Sequence, residues 1–398
     1  MKTDFTTEKW GRSFWQLAWE QFKTNRMNMI CLWFISGLFL VAIFAPFIAN
    51  DKPYYLIKDG SVSFPLFKAL NAADYSIFLA AIAGVFLLFK IRSNSIKYYP
   101  SIRGEIFARQ LGITLGVIIV GIGLLFTFVP SVNNQTDYKT LAMQDGVKAG
   151  FAPVPYSYGE TSLSEKYLPP SKKHLLGTDD VGSDVLARLI YGARISLSVG
   201  FVAVGISTVI GVIIGSLIGY FGGIADFFGM RLIEIMMAIP TLFLILTIIA
   251  FFGKSLLNIM IIIGLTSWTG NARFVRAEFL RLRGQDFVQA AKALGLPKRS
   301  IIFRHILPNG MAPVLVNATI GIGGAIFIEA ALSFLGFGIE PPMPSWGQML
   351  SLGVNASGNF IWWMTFYPGL AIFFTVMAYN LVGEGLRDAI DPKLRKAA

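Results

Sequence analysis

Residues 195–220 carry no charged side chain, and a run of that length limits what the chain can become. About 20 apolar residues in a helix cross a hydrocarbon core about 30 Å thick. Within lipid the backbone must satisfy its own hydrogen bonds, so only helices and closed barrels can span it. Comparable runs occur at 28–49, 75–89, 111–130, 232–252, 256–269, 312–338 and 360–382, those at 75–89 and 256–269 being the shortest. The expectation is an all-α polytopic membrane protein with about eight transmembrane helices. Composition agrees, since 54% of the 398 residues are hydrophobic and 14% charged, too apolar for one soluble core.

The basic residues predict an orientation. With the N-terminus inside, 23 of the 34 Lys and Arg fall in short inside segments, among them residues 90–109 and 273–304, as the positive-inside rule requires. Both termini are then cytoplasmic. The net charge of +11 reads as topology and contact with anionic lipid; no nucleic-acid motif accompanies it. Cys31 is the lone cysteine, so no intramolecular disulfide forms, and His174 and His305 are too far apart in sequence to suggest a metal site. Trp10, Phe14, Trp15, Ala18, Trp19 and Phe22 share one side of a helix. That pattern predicts an interfacial amphipathic helix leading into a signal-anchor span, with no cleavable signal peptide before it.

The chain divides into an amphipathic helix (1–27), a first span (28–50), a hairpin of two spans (75–130), an outside segment (131–194), a core of spans (195–383) with a cytoplasmic loop at 271–310, and a tail (384–398). Gly211, Gly215 and Gly219 recur at every fourth place, with Gly200 and Gly205 before them, a face that lets two helices approach closely in lipid. Gly321, Gly323 and Gly324 thin the seventh run, either for close packing or as a pore-lining stretch. Two acids lie at membrane depth, where a carboxylate must be paired, protonated or facing a cavity. Glu234 is one turn from Arg231, favouring a structural pair. Glu329 lacks a basic neighbour in its run, making it, with Gly323 and Gly324, the candidate for a translocation path; a hydrogen bond to an adjacent helix is the alternative.

Residues 286–308 are polar, basic and helix-forming between two apolar runs. Asp286 can cap a short helix with Gln289 as its capping-box partner. Gly295 supplies a stop, Leu296-Pro297 opens a second helix, and Pro308-Asn309-Gly310 is expected to break the chain. This stretch closely resembles the EAA loop of bacterial ABC importer permeases. Gln289-Ala290-Ala291, Gly295 and Ile306-Leu307-Pro308 stand where that family has its Glu-Ala-Ala, Gly and Leu-Pro marks, and Gln289 departs from the name-giving Glu. Asp286, Gln289, Ala290, Ala291, Gly295, Arg304, His305, Leu307 and Pro308 are therefore the candidate coupling residues.

Further strings resemble the dipeptide/oligopeptide branch of that family: His174-Leu-Leu-Gly-Thr-Asp-Asp-Val-Gly-Ser-Asp-Val-Leu-Ala-Arg188 and Tyr191-Gly-Ala-Arg194, Glu329-Ala-Ala-Leu-Ser-Phe-Leu-Gly-Phe-Gly338 with Pro341-Pro-Met-Pro-Ser-Trp346, and Asn380-Leu-Val-Gly-Glu-Gly-Leu-Arg387. Ser183 stands where many members have Arg. Asp179, Asp184, Arg188 and Trp346 become candidate outer-face contacts. Ile48-Ala-Asn-Asp-Lys-Pro53 and Asp59-Gly60 further resemble members importing longer peptides and microcin C-like conjugates. The resemblance implies a type I ABC importer transmembrane domain in the bacterial inner membrane, a family core of six spans to which 75–130 adds a hairpin. It implies as partners a second permease subunit, two ATP-binding cassette subunits, an extracytoplasmic solute-binding protein received at 131–194 and 339–359, and a peptide substrate. The chain itself is expected to bind no cofactor and no metal, ATP and Mg being used by partner subunits, since no Gly-x-x-x-x-Gly-Lys-Ser/Thr is present. Nickel chelates are an alternative cargo. An ion-coupled secondary transporter would show repeat symmetry, and an intramembrane hydrolase a Gly-x-Ser-x-Gly elbow; neither feature is visible.

Overall fold

The two helices of the inserted hairpin, one reaching Lys97 and the other starting at Pro100, run much further than their apolar cores. The computed structural model describes residues 14–97, 100–129, 136–355 and 360–390. Its N-terminal part holds α1 (Phe14–Thr24), α2 (Arg26–Ile43), α3 (Ala45–Ile48), β1 (Tyr55–Lys58), β2 (Ser61–Ser63), α4 (Pro65–Ala69), α5 (Ala72–Lys97) and α6 (Pro100–Phe128). The outside segment holds α7 (Tyr138–Ala142) and β3 (Lys148–Gly150). The core follows as α8 (Val185–Phe221), α9 (Gly223–Ala238), α10 (Thr241–Phe252), α11 (Leu256–Thr266), α12 (Trp268–Leu282), α13 (Asp286–Ala293), α14 (Lys298–Ser300), α15 (Leu307–Phe334), α16 (Trp346–Asn355) and α17 (Trp362–Ile390).

Among the described residues six helices are long and apolar enough to cross a membrane, or seven if α9 and α10, bent by 81° at their junction, form one broken span. The expected eighth is not among them. Residues 256–269 form the 11-residue α11, shorter than a crossing helix. Ser267 follows it and the polar α12 begins. Ile259, Ile262 and Ile263 of α11 are buried in the protein, and the apolar run is divided between α11 and the start of α12 rather than forming one long helix. The basic stretch 90–109 also differs from the expected loop, because α5 continues to Lys97 and α6 begins at Pro100, a position where proline's missing N–H costs nothing.

α8 is the hub, packed on α2, α11, α12 and α15. The glycine face works as its spacing predicts. A Cβ on Gly215 would lie 2.5 Å from the Ala272 carbonyl oxygen and 2.8 Å from Val275 Cβ, and one on Gly219 2.6 Å from Phe279 Cβ. Only glycine lets α8 and α12 approach that closely. Gly200 faces Ile322 and Ile326 of α15, whereas a Cβ added at Gly205 would meet nothing within 4 Å. Buried amides add a polar tie across three helices. Asn271 Nδ2 donates to Ser207 Oγ at 3.2 Å, and Asn317 Nδ2 donates to Asn271 Oδ1, interhelical bonds that substitute for the water lipid cannot supply.

Around this hub, α5 and α6 pack on each other and α5 also reaches α2. Only 11% of the crossing window of α5 and none of that of α6 is buried, which places the insert at the periphery. One ion pair fastens it. Asp74, in the first turn of α5, receives Arg194 Nη1 of α8 at 2.6 Å, both side chains buried. Asn71 and Asp74 also exchange backbone-to-side-chain bonds at 3.0 Å, the reciprocal pattern of a capping box.

The fold is not wholly α-helical. β1 pairs antiparallel with β2 and with β3, in the order β2-β1-β3. Asp59 and Gly60 both have positive φ (51° and 74°), as a two-residue hairpin turn with right-handed strand twist demands. The sheet ties the segment after the first span to the long outside segment. At the N-terminus, Ala18 and Phe22 of α1 pack against Ala389, Leu386 and Ile390 of α17, while Trp19 remains exposed. The amphipathic helix is thus docked on the chain itself. Trp10, and the side chains of Phe14 and Trp15, lie outside the described residues, as does the tail from Asp391.

Candidate functional site

Two polar constructions stand at opposite ends of α8. The first is the knob formed by α13 and the turn into α15. Gln285, not Asp286, is the N-cap of α13, and no side chain caps the helix. Gln289 instead donates through Nε2 to the Arg283 carbonyl at 3.1 Å, so it still holds the helix start, though not in a capping box. Asp286 lies in the first turn, where a negative charge complements the helix dipole. The C-terminus closes as the glycine predicts. Gly295 has φ +71°, its N–H bonds the Lys292 carbonyl at 3.0 Å, and the Leu296 N–H bonds that of Ala291 at 3.2 Å, the two bonds of a Schellman motif.

α13 presents two apolar stripes. Val288 and Ala291 turn inward and are buried with Val275, Phe279, Leu282, Ile301, Ile302, Ile306 and Val314. Ala291 is therefore packing within this chain, not part of an outward small-residue face as its neighbours in the motif suggested. Phe287, Ala290 and Leu294 are exposed, Leu294 at 79%, and their i, i+3, i+7 spacing puts them on one side of the helix. Phe287 and Leu294 carry no mark of the motif and are absent from the candidate coupling residues, although their helical spacing is the signal that could have found them. Gly295 lies just beyond this stripe, and a Cβ added there would meet nothing within 4 Å.

The knob is bound firmly to the spans. Lys292 lies 5.9 Å from the Tyr220 ring centroid and Lys298 5.5 Å from that of Phe221, both at the C-terminal end of α8. Arg276 of α12 pairs with Asp226 of α9 through both its Nε and its Nη2, the latter at 2.7 Å. Pro308 does not break the chain. A π-helical turn, Ile301–Ile306, leads directly into α15, and the Leu307 N–H reaches back to the Ile302 carbonyl. This wider turn takes up the missing proline N–H without ending the helix. Asn309 Nδ2 donates to the His305 carbonyl at 2.7 Å. Leu307 packs on the buried cluster, His305 is half-buried, and Arg304 and Pro308 are exposed.

The second construction clamps the outside segment to α8. Asp184 caps the helix, its Oδ1 accepting from the Ala187 N–H at 2.8 Å, and its Oδ2 meets His174 Nδ1 at 2.9 Å. His174 Nε2 faces Glu165 Oε2 at 3.3 Å, and the Tyr156 ring lies 4.6 Å away. The hydrogen bond from Lys173 holds the Glu165 carboxyl below its ordinary value, with His174 adding to it. Arg188 Nη1 donates to Asp179 Oδ2 at 2.6 Å. Asp179 Oδ1 accepts from Ser183 N–H at 2.8 Å and Val181 N–H at 3.0 Å. Burial pushes the Asp179 carboxyl up, against the pull of Arg188 and these amides. Trp346 is 1% exposed, donates through Nε1 to the Leu189 carbonyl at 3.0 Å and rests on Gly192. Asp179, Asp184, Arg188 and Trp346 are thus interior fasteners rather than exposed contacts. The three charges need partners because they are buried, and these come from nearby in the chain, nine residues away for Asp179 and Arg188 and ten for Asp184 and His174, whereas Trp346 reaches α8 from 157 residues away. Ser183 is also buried.

The proposed path residues separate. Glu329 is enclosed, at 1% exposure, and accepts from Ser333 Oγ at 2.7 Å. It lines no surface of this chain, and since Ser333 belongs to the same helix, α15, this bond is not the one to an adjacent helix that the alternative reading expected. Gly323 packs against Val376 and Tyr379 of α17, whereas Gly324 is exposed with nothing within 4 Å. Glu234 pairs with Arg231 at 2.5 Å as expected. Among the described residues no group of three or more His, Cys, Asp or Glu is arranged to hold a metal.

Residues 211–396 match the model of the binding-protein-dependent transport system inner membrane component family, and residues 13–64 match the N-terminal TM domain of oligopeptide transport permease C. The dipeptide transport system permease protein of Alkalihalophilus pseudofirmus is 44% identical over 250 residues, 62% of this chain and 81% of that protein. The chain belongs to this family. The oligopeptide transport system permease protein of Bacillus subtilis is 42% identical over 62% of this chain and 81% of its own length. The di/tripeptide transport system permease protein of Pseudomonas aeruginosa is 41% identical over 62% and 84%. Among solved structures, an inward-facing MetNI methionine ABC transporter covers 52% of this chain and 97% of that one at 20% identity and a TM-score of 0.42. Both family models leave out 65–210, the stretch that holds the α5–α6 hairpin and the clamp. The knob and the glycine face lie inside the larger family match.

Proposed function

We propose that this inner-membrane component is the permease subunit of an ATP-driven importer of peptides, with α13 as the element an ATP-binding subunit grips. The observation that carries the reading is the exposed Phe287, Ala290, Leu294 stripe on a helix whose adjoining stripe, Val288 and Ala291, is buried in a cluster with residues of α12 and α15. A helix held along one stripe and exposed and apolar along the next transmits a push instead of absorbing it. Motion of α13 would move the inner end of α8 through Tyr220 and Phe221, and α12 with it across the glycine contact. Alternating access then needs no chemistry in this chain. ATP and Mg belong to two partner ATPases, a second permease completes the pore, and a solute-binding protein delivers cargo on the outer side. The peptide class is supported by the names of the relatives. Cells expressing the complete transporter should take up labelled tri- to pentapeptides in an ATP-dependent manner. Uptake of no peptide by a correctly assembled complex would contradict the reading.

This proposal sets an orientation with both termini, the knob and the α5–α6 junction in the cytoplasm, as the basic residues favour. Ser95→Cys in a Cys31→Ala background should stay unlabelled by an impermeant thiol reagent in intact cells and react after permeabilisation. Labelling in intact cells would place the hairpin tip outside.

A further inference from the structure

Five phenylalanines form a connected row where the first span ends and the inserted hairpin begins. Between ring centroids, Phe47 of α3 lies 6.3 Å from Phe44, 5.9 Å from Phe67 and 5.9 Å from Phe78, and Phe64 lies 6.4 Å from Phe67. Phe44 is the C-cap of α2, and Phe78 stands inside the crossing window of α5, which begins at Ala72. Phe47 therefore joins α4 to the ends of two spans, and α4 sits at their level rather than out in the aqueous segment.

α4 is apolar on two sides, and the chain covers only one of them. Pro65, Leu66 and Leu70 are buried, and the Leu66 N–H donates to the Pro53 carbonyl at 3.1 Å, which fixes α4 against the segment leading into β1. Phe64 and Phe67, packed edge to face on each other, stay 52% and 50% exposed, and Phe44 stays 47% exposed. Their surface continues one that lipid already covers. Leu40, one turn before Phe44 on α2, and Ile82, one turn after Phe78 on α5, are both exposed on crossing helices. Aromatic rings collect where such helices leave the membrane. Lys68 is the only charge between Asp59 and Asp74 and is exposed; its stem can lie along an apolar base while the ammonium reaches outward.

We propose that Phe44, Phe64 and Phe67 rest in the headgroup region of the leaflet at the C-terminal end of α2, with Lys68 on lipid phosphate, so that α4 is a foot by which the β2-β1-β3 sheet stands on the bilayer. Apolar side chains of an interfacial element sink about 5–10 Å into that boundary, which suits rings adjoining the ends of α2 and α5. The third strand of the sheet belongs to the long segment 131–194, so the foot sets the height of that segment above the membrane. This surface is separate from the importer reading and holds whichever side of the membrane that end of α2 faces.

The test uses the complete transporter in nanodiscs of phosphatidylethanolamine and phosphatidylglycerol. In a Cys31→Ala background, a small environment-sensitive fluorophore is placed on Phe64→Cys and, as the aqueous control, on Met143→Cys, which is 85% exposed. The probe at 64 should emit to the blue of the probe at 143. Lipids brominated near the top of the acyl chain should quench it more than lipids brominated near the chain end, and aqueous iodide should quench it less than it quenches the control. Adding Phe67→Asp, which puts a carboxylate beside the probe, should shift its emission to the red and remove the lipid quenching while the probe at 143 is unchanged. Iodide quenching equal at the two positions would place the face in water. A probe at 64 that neither quencher reaches would mean that another protein chain covers it. Either result, or lipid quenching that persists in full with Phe67→Asp, would overturn the proposal.

Discussion

Gly295→Glu should reduce uptake to background while leaving the chain in the membrane at its usual level. Two effects combine in that substitution and can be separated. The φ of +71° at Gly295 costs any other residue about 1–3 kcal/mol, a local strain in an exposed turn. The larger effect is placement. Nothing lies within 4 Å of a Cβ there, so the new side chain projects beside Phe287, Ala290 and Leu294 and brings a carboxylate onto an apolar docking stripe. Gly295→Ala carries the same backbone strain without bulk or charge and should keep most of the uptake. If Gly295→Glu transports normally, or if Gly295→Ala fails equally, α13 does not dock through this face.

The outer clamp should fail in a different way. Arg188→Ala leaves Asp179 buried without its counter-ion, and breaking one side of a buried pair costs about 3–5 kcal/mol. Both side chains are almost inaccessible, at 6% and 4% exposure, so water does not offset the loss. The segment around residues 160–184 should come away from the start of α8, seen as a lower melting temperature in detergent and as proteolytic cleavage from the outer side. Replacing both partners by leucine should recover much of the stability, because the desolvation of two charges is removed together with their attraction. Arg188→Ala with unaltered melting and cleavage would show that the ion pair does not hold the clamp.

The parts of this fold that were legible in the sequence are those set by local periodicity. Gly211, Gly215 and Gly219 announce a helix contact through spacing alone, and α12 fills it. Gly295 announces a left-handed stop, and Asp59-Gly60 between β-prone residues carried a hairpin signal that an all-α expectation passed over. The misread parts depend on what lies across the fold. Residues 256–269 are as apolar as a span, yet the helix stops at Thr266 and restarts at Trp268, a division at Ser267 that hydropathy does not register. Pro308 looks like a breaker until a π turn absorbs it. Asp179 and Arg188 look like surface charges because what meets them, such as Gln348 of α16 beside Arg188, lies far along the chain. Ala291 and Ala290 are chemically alike, and only the packing of Val288 beside Ala291 decides which faces out.

Crosslinking from α13 is the most direct test of the central claim. In a Cys31→Ala background, Ala290→Cys on the exposed stripe and Met143→Cys, 85% exposed on the outside segment, would each be treated with a short bifunctional thiol reagent in the assembled transporter. The account predicts a product between this chain and the ATP-binding subunit from position 290, weakened by Gly295→Glu, and none from position 143. Absence of that product from position 290, in a complex that still contains the ATP-binding subunit, would contradict it.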